Sequence, residues 1–363
     1  MHPMFNIRSS LIANAAVSLT RVAALVAAGI SPAISTAWAQ PKPAVKSIYR
    51  NVLVAEGRSQ SLCESQPNRI FVKNETGSEC ISYFVTKGYE TKRQAVVFFD
   101  GDMAIEKYVD PKLVAEGYAS NQRGLQMWAD KLKVRYVFVS RVGLNGSSGN
   151  HGERRNARET YLMNTAIDIL KQRLGLDRIA LAGQSGGSTI SASLLSLGRT
   201  DVACAVLGSG AFEVLDLHYA NLKANGVEVS KAQLAKVMYD PASHVSEIPA
   251  DPRRRVFVIG DTTDTRTPFD QQVRYVNSIR ERGHHALLIP IEAAGNLDHS
   301  AVAYTIPTAG GCLSGASDEK LLKANDGMTK RVSENEAKST TQAATGGTAL
   351  VKASFKGDAK DVK

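Results

Sequence analysis

The stretch Ile179-Ala-Leu-Ala-Gly-Gln-Ser-Gly-Gly-Ser-Thr-Ile190 decides the fold of this chain. Its apolar start, 179–182, predicts a buried strand, and 188–197 is typical of a helix. Ser185 lies at the apex of the turn between them, with glycine two residues to either side, where strand and helix backbones nearly touch. The pattern predicts a nucleophile, Ser185, beside an oxyanion-binding backbone N–H at Gly186. A merely structural glycine-rich turn is the alternative.

The first 39 residues have the pattern of a secretory leader. Arg8 and Arg21 flank its start, 22–30 is a short apolar run, and Ala37-Trp38-Ala39 forms a small-residue cleavage site. The apolar run is too short to span a bilayer, which favours a signal peptide cut after Ala39 over an uncleaved anchor. We therefore expect a secreted or periplasmic protein without stable membrane insertion.

Composition is that of an ordinary globular protein with a basic surface. Of 363 residues, 43% are hydrophobic, which is enough for a substantial core, and the formal net charge is +9. The basic residues are scattered, apart from the clusters 154–155 and 253–255, and no basic stripe is interleaved with aromatic residues. Nucleic acid is therefore not an expected partner, and the charge indicates a solvated basic face.

Four cysteines suit an oxidising compartment. Cys63 and Cys80 flank a predicted strand over 69–73, where a disulfide would close a small loop. Cys204 lies in an apolar strand and Cys312 in a glycine-rich segment, and these two either pair or remain buried thiols. None of the four has metal-ligand spacing, so neither a metal nor an organic cofactor is expected.

Strand and helix patterns alternate along the chain after an early antiparallel region predicted over 46–55 and 69–85. The spacing predicts strands at 95–99, 134–140, 179–182, 202–207, 256–259 and 286–291, and helices around 125–132, 162–174, 188–197 and 269–282. Such alternation indicates the α/β class, with a mostly parallel sheet covered by helices on both faces.

The domain organisation follows from the same patterns. We expect one catalytic domain over 40–316, with 211–252 as a small cap inserted into it. Beyond residue 317 large apolar residues become rare, which predicts a disordered tail over 317–363, although Leu321 and Leu322 are compatible with a last helix turn.

Ligands of parallel sheets bind at the carboxyl ends of the strands, so the partners of Ser185 should follow strands. His299 follows the last predicted strand and is the best candidate for the base. For the acid, Asp264 lies deeper in the loop after 256–259 than Asp261, which is interpreted as a turn residue; Asp298 is a third option. The chain order Ser185, Asp264, His299 is a known order for a nucleophile, acid and base on such a sheet.

A second oxyanion donor is expected after the strand at 95–99. Asp100-Gly101-Asp102-Met103 follows it, and the backbone N–H of Asp102 or Met103 is the candidate. An acidic side chain beside a developing oxyanion is unfavourable unless it points away.

The long Gly/Ser loop over 141–155 leaves another strand at the same edge of the sheet. Its residues His151 and Arg154 are candidate substrate contacts, while a structural turn fixed by its glycines is the alternative. Arg154 or Arg155 would either hold a substrate carboxylate or pair with Glu159 on the next helix.

Three segments carry a resemblance to a known family: Gly183-Gln-Ser-Gly-Gly187, Gly260-Asp-Thr-Thr-Asp264 and Leu297-Asp-His299. Together they resemble the α/β-hydrolase superfamily over roughly residues 95–311, and are most similar to prolyl-oligopeptidase-type peptidases and dienelactone-hydrolase-like esterases. Two departures stand out: Asp100-Gly101 replaces a common His-Gly pair, and one extra residue separates Gly260 from Asp264.

These patterns predict a serine hydrolase that cleaves a small-molecule ester through an acyl-enzyme. Ser185 would attack the carbonyl, His299 would accept and return the proton, and Asp264 would orient His299. A prolyl-oligopeptidase-type peptidase acting on short peptides is the first alternative, and a non-catalytic binding protein of the same fold is the second. The short cap predicts an open site for small or flexible substrates.

Overall fold

The computed structural model of the chain describes residues 59–102, 111–292 and 299–330. Several predictions lie outside these residues: the leader over 1–39, the early strand over 46–55, Met103, Asp298 and the part of the tail over 331–363.

The described residues form an eight-stranded sheet with the order β1-β2-β4-β3-β5-β6-β7-β8. β1 and β2 form an antiparallel hairpin, β2 also pairs antiparallel with β4, and the remaining neighbours are parallel. The prediction of a mostly parallel sheet is therefore confirmed. The strands are β1 Arg69–Asn74, β2 Gly77–Val85, β3 Gln94–Phe99, β4 Arg135–Val139, β5 Arg178–Gln184, β6 Val202–Gly208, β7 Arg255–Asp261 and β8 His285–Ile291.

Helices cover both faces of the sheet, as predicted. Successive strand residues point to opposite faces, so Val97 belongs to one hydrophobic cluster and its neighbour Val96 to another. Helices α3, α4 and α7 pack in the first cluster, and α2, α8 and α9 in the second. The helices are α1 Gln60–Glu64, α2 Pro111–Leu132, α3 Ala157–Leu174, α4 Gly186–Ser196, α5 Val214–Ala224, α6 Lys231–Leu234, α7 Phe269–Glu281, α8 Val302–Leu313 and α9 318–330.

Helix α8 was not predicted, because it contains Pro307 and two glycines and was interpreted as a glycine-rich segment. It is nevertheless buried against β5 and β6. A Cβ at Gly310 would collide with the phenol oxygen of Tyr136, so the small residue permits the close approach of helix and sheet. Packing overrides the low helix propensity of this composition.

Two disulfides connect elements of the fold. Cys63 pairs with Cys80, which joins α1 to β2 as predicted. Cys204 pairs with Cys312 and ties α8 to β6, which decides between the two possibilities that the sequence left open.

The predicted disordered tail is wrong for residues 318–330, which form α9. Leu321 is buried in the second hydrophobic cluster. The amide of Asn325 is also buried, and it donates hydrogen bonds to the carbonyl of Leu321 (2.7 Å) and to the hydroxyl of Thr308 (3.0 Å). A few buried contacts thus order a segment whose composition is mostly polar.

The segment 211–252, which is predicted from the sequence to be a cap, contains α5, α6 and a 3-10 helix, Pro241–Glu247. The carboxylate of Asp240 accepts the N–H of Val214 (2.6 Å) and so caps the start of α5. Val214, Leu234 and Met238 form a small hydrophobic cluster of their own. Among the described residues, no helix combines the length and apolar character needed to cross a bilayer.

Candidate active site

Ser185 occupies a sharp turn between β5 and α4, as the glycine pattern predicted. Its φ of 52° lies in the left-handed region, which costs energy for a residue with a side chain. A Cβ at Gly183 would collide with the backbone of Gly187, and one at Gly187 with the carbonyl oxygen of Phe99. The two glycines are therefore required by the close approach of β5, α4 and the end of β3.

The structure brings together the three side chains predicted as nucleophile, base and acid. Nε2 of His299 lies 2.7 Å from Oγ of Ser185, and Nδ1 of His299 lies 2.8 Å from Oδ2 of Asp264. With the Nδ1 proton donated to the carboxylate, Nε2 is free to accept the proton of the hydroxyl. We call Ser185, Asp264 and His299 the triad.

Asp264, rather than Asp261, faces the histidine. Oδ1 of Asp264 accepts the backbone N–H of Arg266 (2.8 Å) and Thr267 (3.0 Å), and Oδ2 accepts the Thr267 hydroxyl (2.7 Å). Burial alone would raise the pKa of Asp264, but hydrogen bonds from His299 and Thr267 lower it below its usual value. Asp261 accepts the N–H of Thr263 instead (2.7 Å), which makes it the predicted turn residue.

Gln184 holds the segment that carries His299, a contact that the sequence reasoning missed. Its Nε2 donates to the carbonyl of His299 (2.6 Å), and its Oε1 accepts the N–H of Ala301 (2.9 Å). Because Gln184 immediately precedes Ser185, one side chain fixes the histidine backbone relative to the nucleophile. The only sign of this contact in the sequence is a long polar side chain at position 184.

Asp102 follows β3 and lies beside the nucleophile turn. A Cβ on its neighbour Gly101 would lie 3.3 Å from Cβ of Ser185. A Cβ on Gly186 would collide with Oδ1 of Asp102 and with Nη1 of Arg141. The Asp102 carboxylate therefore lies against Gly186. The sequence-based expectation for a favourable oxyanion site, a carboxylate that points away from it, is not met.

Arginines neutralise this carboxylate. It binds Nη1 of Arg141 (2.6 Å), Nη2 of Arg155 (2.6 Å) and Nε of Arg154 (3.3 Å). Burial alone would raise the pKa of Asp102, but Arg141, His151 and Arg155 hold it well below its usual range. An acidic residue at this position is thereby compatible with negative charge developing near Ser185.

Arg141 is buried and joins Asp102 to a second carboxylate. Its Nε and Nη2 lie 3.0 and 3.1 Å from the two oxygens of Glu159. Of the two alternatives for Arg154 and Arg155, side-chain pairing with Glu159 is wrong, because Arg141 occupies that carboxylate and Arg155 reaches it only through its backbone N–H (2.7 Å). We call Asp102, Arg141, Arg154, Arg155 and Glu159 the charged network.

A cavity of about 570 Å³ adjoins Ser185. Arg155 lines it, whereas the predicted substrate contacts Arg154 and His151 do not; His151 is buried with its Nε2 3.6 Å from Asp102. No group of three or more potential metal ligands occurs in the described part of the chain. The cavity is lined by Asp100, Gly101, Asp102, Arg155, Gln184, Ser185, Arg266, Thr267, His299, Ser300 and Val302.

Known structures resemble this chain at low sequence identity. The acylaminoacyl peptidase of Pyrococcus horikoshii is 15% identical with a TM-score of 0.44, and the match covers 67% of this chain and 39% of the peptidase. The chain thus spans about two fifths of the length of that peptidase. No protein-family model matches the sequence, and a search of curated proteins found no match.

Two esterases show a similar likeness over most of their length. Pyrococcus furiosus esterase Pf2001 is 13% identical with a TM-score of 0.44, over 64% of this chain and 86% of the esterase. Est1E from Butyrivibrio proteoclasticus, with ferulic acid bound, is 12% identical with a TM-score of 0.45, over 61% of this chain and 89% of the esterase. The chain's own strand order and its turn after β5 are those of the α/β-hydrolase fold.

Proposed function

We propose that the protein is a serine esterase that works through an acyl-enzyme. The observation that carries this proposal is the continuous hydrogen-bonded path from Oγ of Ser185 through His299 to Asp264. A serine hydroxyl is a weak nucleophile until a neighbouring base takes its proton. His299 is in position to do so, and a buried, ionised Asp264 stabilises the imidazolium that results.

In the first half of the reaction Ser185 attacks the ester carbonyl as His299 removes its proton. The tetrahedral intermediate collapses, and His299 returns the proton to the departing alcohol. A water molecule, deprotonated by the same imidazole, then attacks the acyl-enzyme and releases the acid with Ser185 restored.

Negative charge on the tetrahedral oxygen needs hydrogen-bond donors already in place. The backbone N–H of Gly186 is the first donor we assign, and that of Asp102 is the second. The charged network supports this assignment because Arg141, Arg154 and Arg155 neutralise the Asp102 carboxylate that lies against Gly186. This contact also holds the segment after β3, which carries Asp102, against the turn that carries Ser185 and Gly186.

We also propose that the enzyme works outside the cytoplasm, after removal of the leader over 1–39. The Cys63–Cys80 and Cys204–Cys312 disulfides support this location, because such bonds form and persist in oxidising compartments.

Hydrolysis of 4-nitrophenyl acetate and butyrate by the purified protein tests the proposal, with Ser185→Ala as the matched control. We expect the wild type to release nitrophenolate with a burst from acyl-enzyme formation, and the variant to lose at least about a thousandfold of the rate. Equal rates from the two proteins would refute the proposal. Faster turnover of aminoacyl or prolyl 4-nitroanilides than of the esters would assign a peptidase instead.

A further inference from the structure

A second cavity, of about 270 Å³, adjoins the one around Ser185. We call it the cap pocket, because α5 of the cap segment forms one side of it. Arg155 and Arg266 line both cavities. A substrate bound at Ser185 that extends into the cap pocket would therefore pass both arginines. The cap pocket is lined by Arg155, Val214, Leu217, His218, Asn221 and Arg266.

The polar side chains that line the cap pocket are positive or neutral. It contains two arginines, an amide at Asn221 and an imidazole at His218, and no carboxylate. Burial lowers the pKa of His218, and the charges of Arg155 and Arg154 lower it further, so this imidazole is neutral near pH 7. Val214 and Leu217 supply an apolar side. Such a lining suits a group with a short apolar chain that ends in an anion.

The two arginines differ in the ion pairs that they form. Arg155 binds Asp102 at 2.6 Å. Arg266 is exposed, and its side chain makes no ion pair with any residue in 59–102, 111–292 or 299–330. Its backbone is nevertheless fixed, because its N–H binds Asp264. Arg266 thus places a guanidinium that is unpaired within those residues beside both cavities, on a backbone that is held in place.

Among the described residues that line the two cavities, the carboxylates belong to the cavity around Ser185 and none to the cap pocket. Asp100 and Asp102 line the cavity around Ser185, where Asp100 accepts the Gly101 N–H (2.8 Å) and the Asn121 amide (2.8 Å). The charged network neutralises Asp102. The Gly101 N–H and the Asn121 amide that bind Asp100 are neutral, so the charge of Asp100 opposes a substrate anion beside Ser185. The favourable place for a substrate anion is therefore the cap pocket.

We propose that the cap pocket binds a carboxylate, and that the substrates are esters carrying a carboxylate a few bonds from the scissile carbonyl. Arg266 forms a charge-assisted hydrogen bond to that carboxylate, and Arg155 adds to its positive field. The choice of substrate rests on the proposed esterase function, whereas the carboxylate site itself does not.

Matched ester pairs test the substrate class. Mono-4-nitrophenyl glutarate is compared with its methyl ester, which places the charge in the acyl part, and 4-acetoxybenzoate with its methyl ester, which places it in the leaving group. We expect the anionic member of at least one pair to have the higher kcat/KM. In Arg266→Gln the anionic-to-neutral ratio for that pair should fall about tenfold, as for loss of a hydrogen bond to a charged group.

Arg282→Gln is the matched control, because it removes the same charge from the exposed end of α7, just before β8 and at the opposite edge of the sheet. It should keep the wild-type ratio. Higher salt should reduce the ratio of the wild type. A neutral preference in both pairs, or an unchanged ratio in Arg266→Gln, would overturn the proposal.

Calorimetry separates failure of this proposal from failure of the esterase function. Monomethyl glutarate should bind to the wild-type protein, and Arg266→Gln should weaken binding about tenfold even if no ester is hydrolysed. Ester hydrolysis without any carboxylate binding or preference would leave the triad function intact and remove the cap-pocket site.

Discussion

The two sides of Ser185 are built differently. On one side, His299 and Asp264 reach the nucleophile through two short hydrogen bonds. On the other side, the charged network joins three arginines and two carboxylates, and its Asp102 and Arg141 lie against Gly186. Arg141 and Glu159 are almost fully buried. The triad needs few groups in one accurate geometry, whereas the network needs each carboxylate to have an arginine partner.

Because of this difference, substitutions on the two sides should have different main effects. A change in the triad alters groups that touch the reacting atoms, so its main effect is on rate. A change in the network leaves a buried charge without its partner, so its main effect is on the free energy of unfolding. Substitutions on each side separate these effects.

Asp264→Asn should give the largest effect. Its amide keeps an acceptor for the N–H groups of Arg266 and Thr267, but it no longer fixes the His299 tautomer that leaves Nε2 unprotonated. We expect kcat/KM for 4-nitrophenyl butyrate to fall about ten-thousandfold. A folded variant, judged by circular dichroism, that loses less than tenfold would show that Asp264 is not the acid of the triad.

Arg141→Met should mainly destabilise the fold. It leaves Glu159 and Asp102 without their shared partner, and we expect the free energy of unfolding in urea to fall by about 3–5 kcal/mol. The control is Arg93→Met, which breaks the exposed pair with Asp177 and should cost at most about 1 kcal/mol. Equal losses in the two variants would mean that the charged network does not hold this region together.

Gln184→Leu should affect rate without a large change in substrate binding. Without the two hydrogen bonds from its side chain, the His299 segment is no longer fixed relative to Ser185. Since small displacements of a catalytic group cost up to about a hundredfold, we expect kcat to fall about 10- to 100-fold with KM nearly unchanged.

Gln184→Glu is the informative second variant at this position. It keeps an acceptor for the N–H of Ala301 but loses the donor to the His299 carbonyl. We therefore expect its kcat to lie between that of the wild type and that of Gln184→Leu. A rise in KM at constant kcat in both variants would assign Gln184 to substrate binding instead of histidine positioning.

The smallest effect is expected from pH. The pKa of folded Asp102 is depressed, so its charge stabilises the fold fully above the ordinary aspartate pKa of about 3.9 and loses this contribution as pH falls further toward the folded value. The difference in unfolding free energy between wild type and Asp102→Asn should not narrow between pH 7 and 5 and should narrow below about pH 4. A difference that already narrows above pH 5 would contradict the depressed pKa.

The sequence predicted the triad geometry better than the network because topology alone places strand ends. Ser185, Asp264 and His299 each follow a parallel strand, so one rule brings them to one edge. The choice of Asp264 over Asp261 rested only on its deeper position in the loop, and the hydrogen bonds of Thr267 supply the physical reason.

The sequence did not predict which charged side chains form ion pairs with each other. Arg154 and Arg155 are close to Glu159 in the chain, yet Arg141 binds Glu159 because it is buried beside it, while their side chains bind Asp102. Helix α8 was missed for a similar reason: close packing on β5 and β6 stabilises a segment whose proline and glycines disfavour a helix.

Covalent labelling with a fluorophosphonate tests most directly whether Ser185 is an activated nucleophile. Intact mass and peptide mapping of the folded wild type should show one adduct on Ser185, absent from Ser185→Ala and formed far more slowly in His299→Ala. A folded wild type that takes up no label, or a Ser185→Ala variant that is labelled at the wild-type rate, would contradict the account.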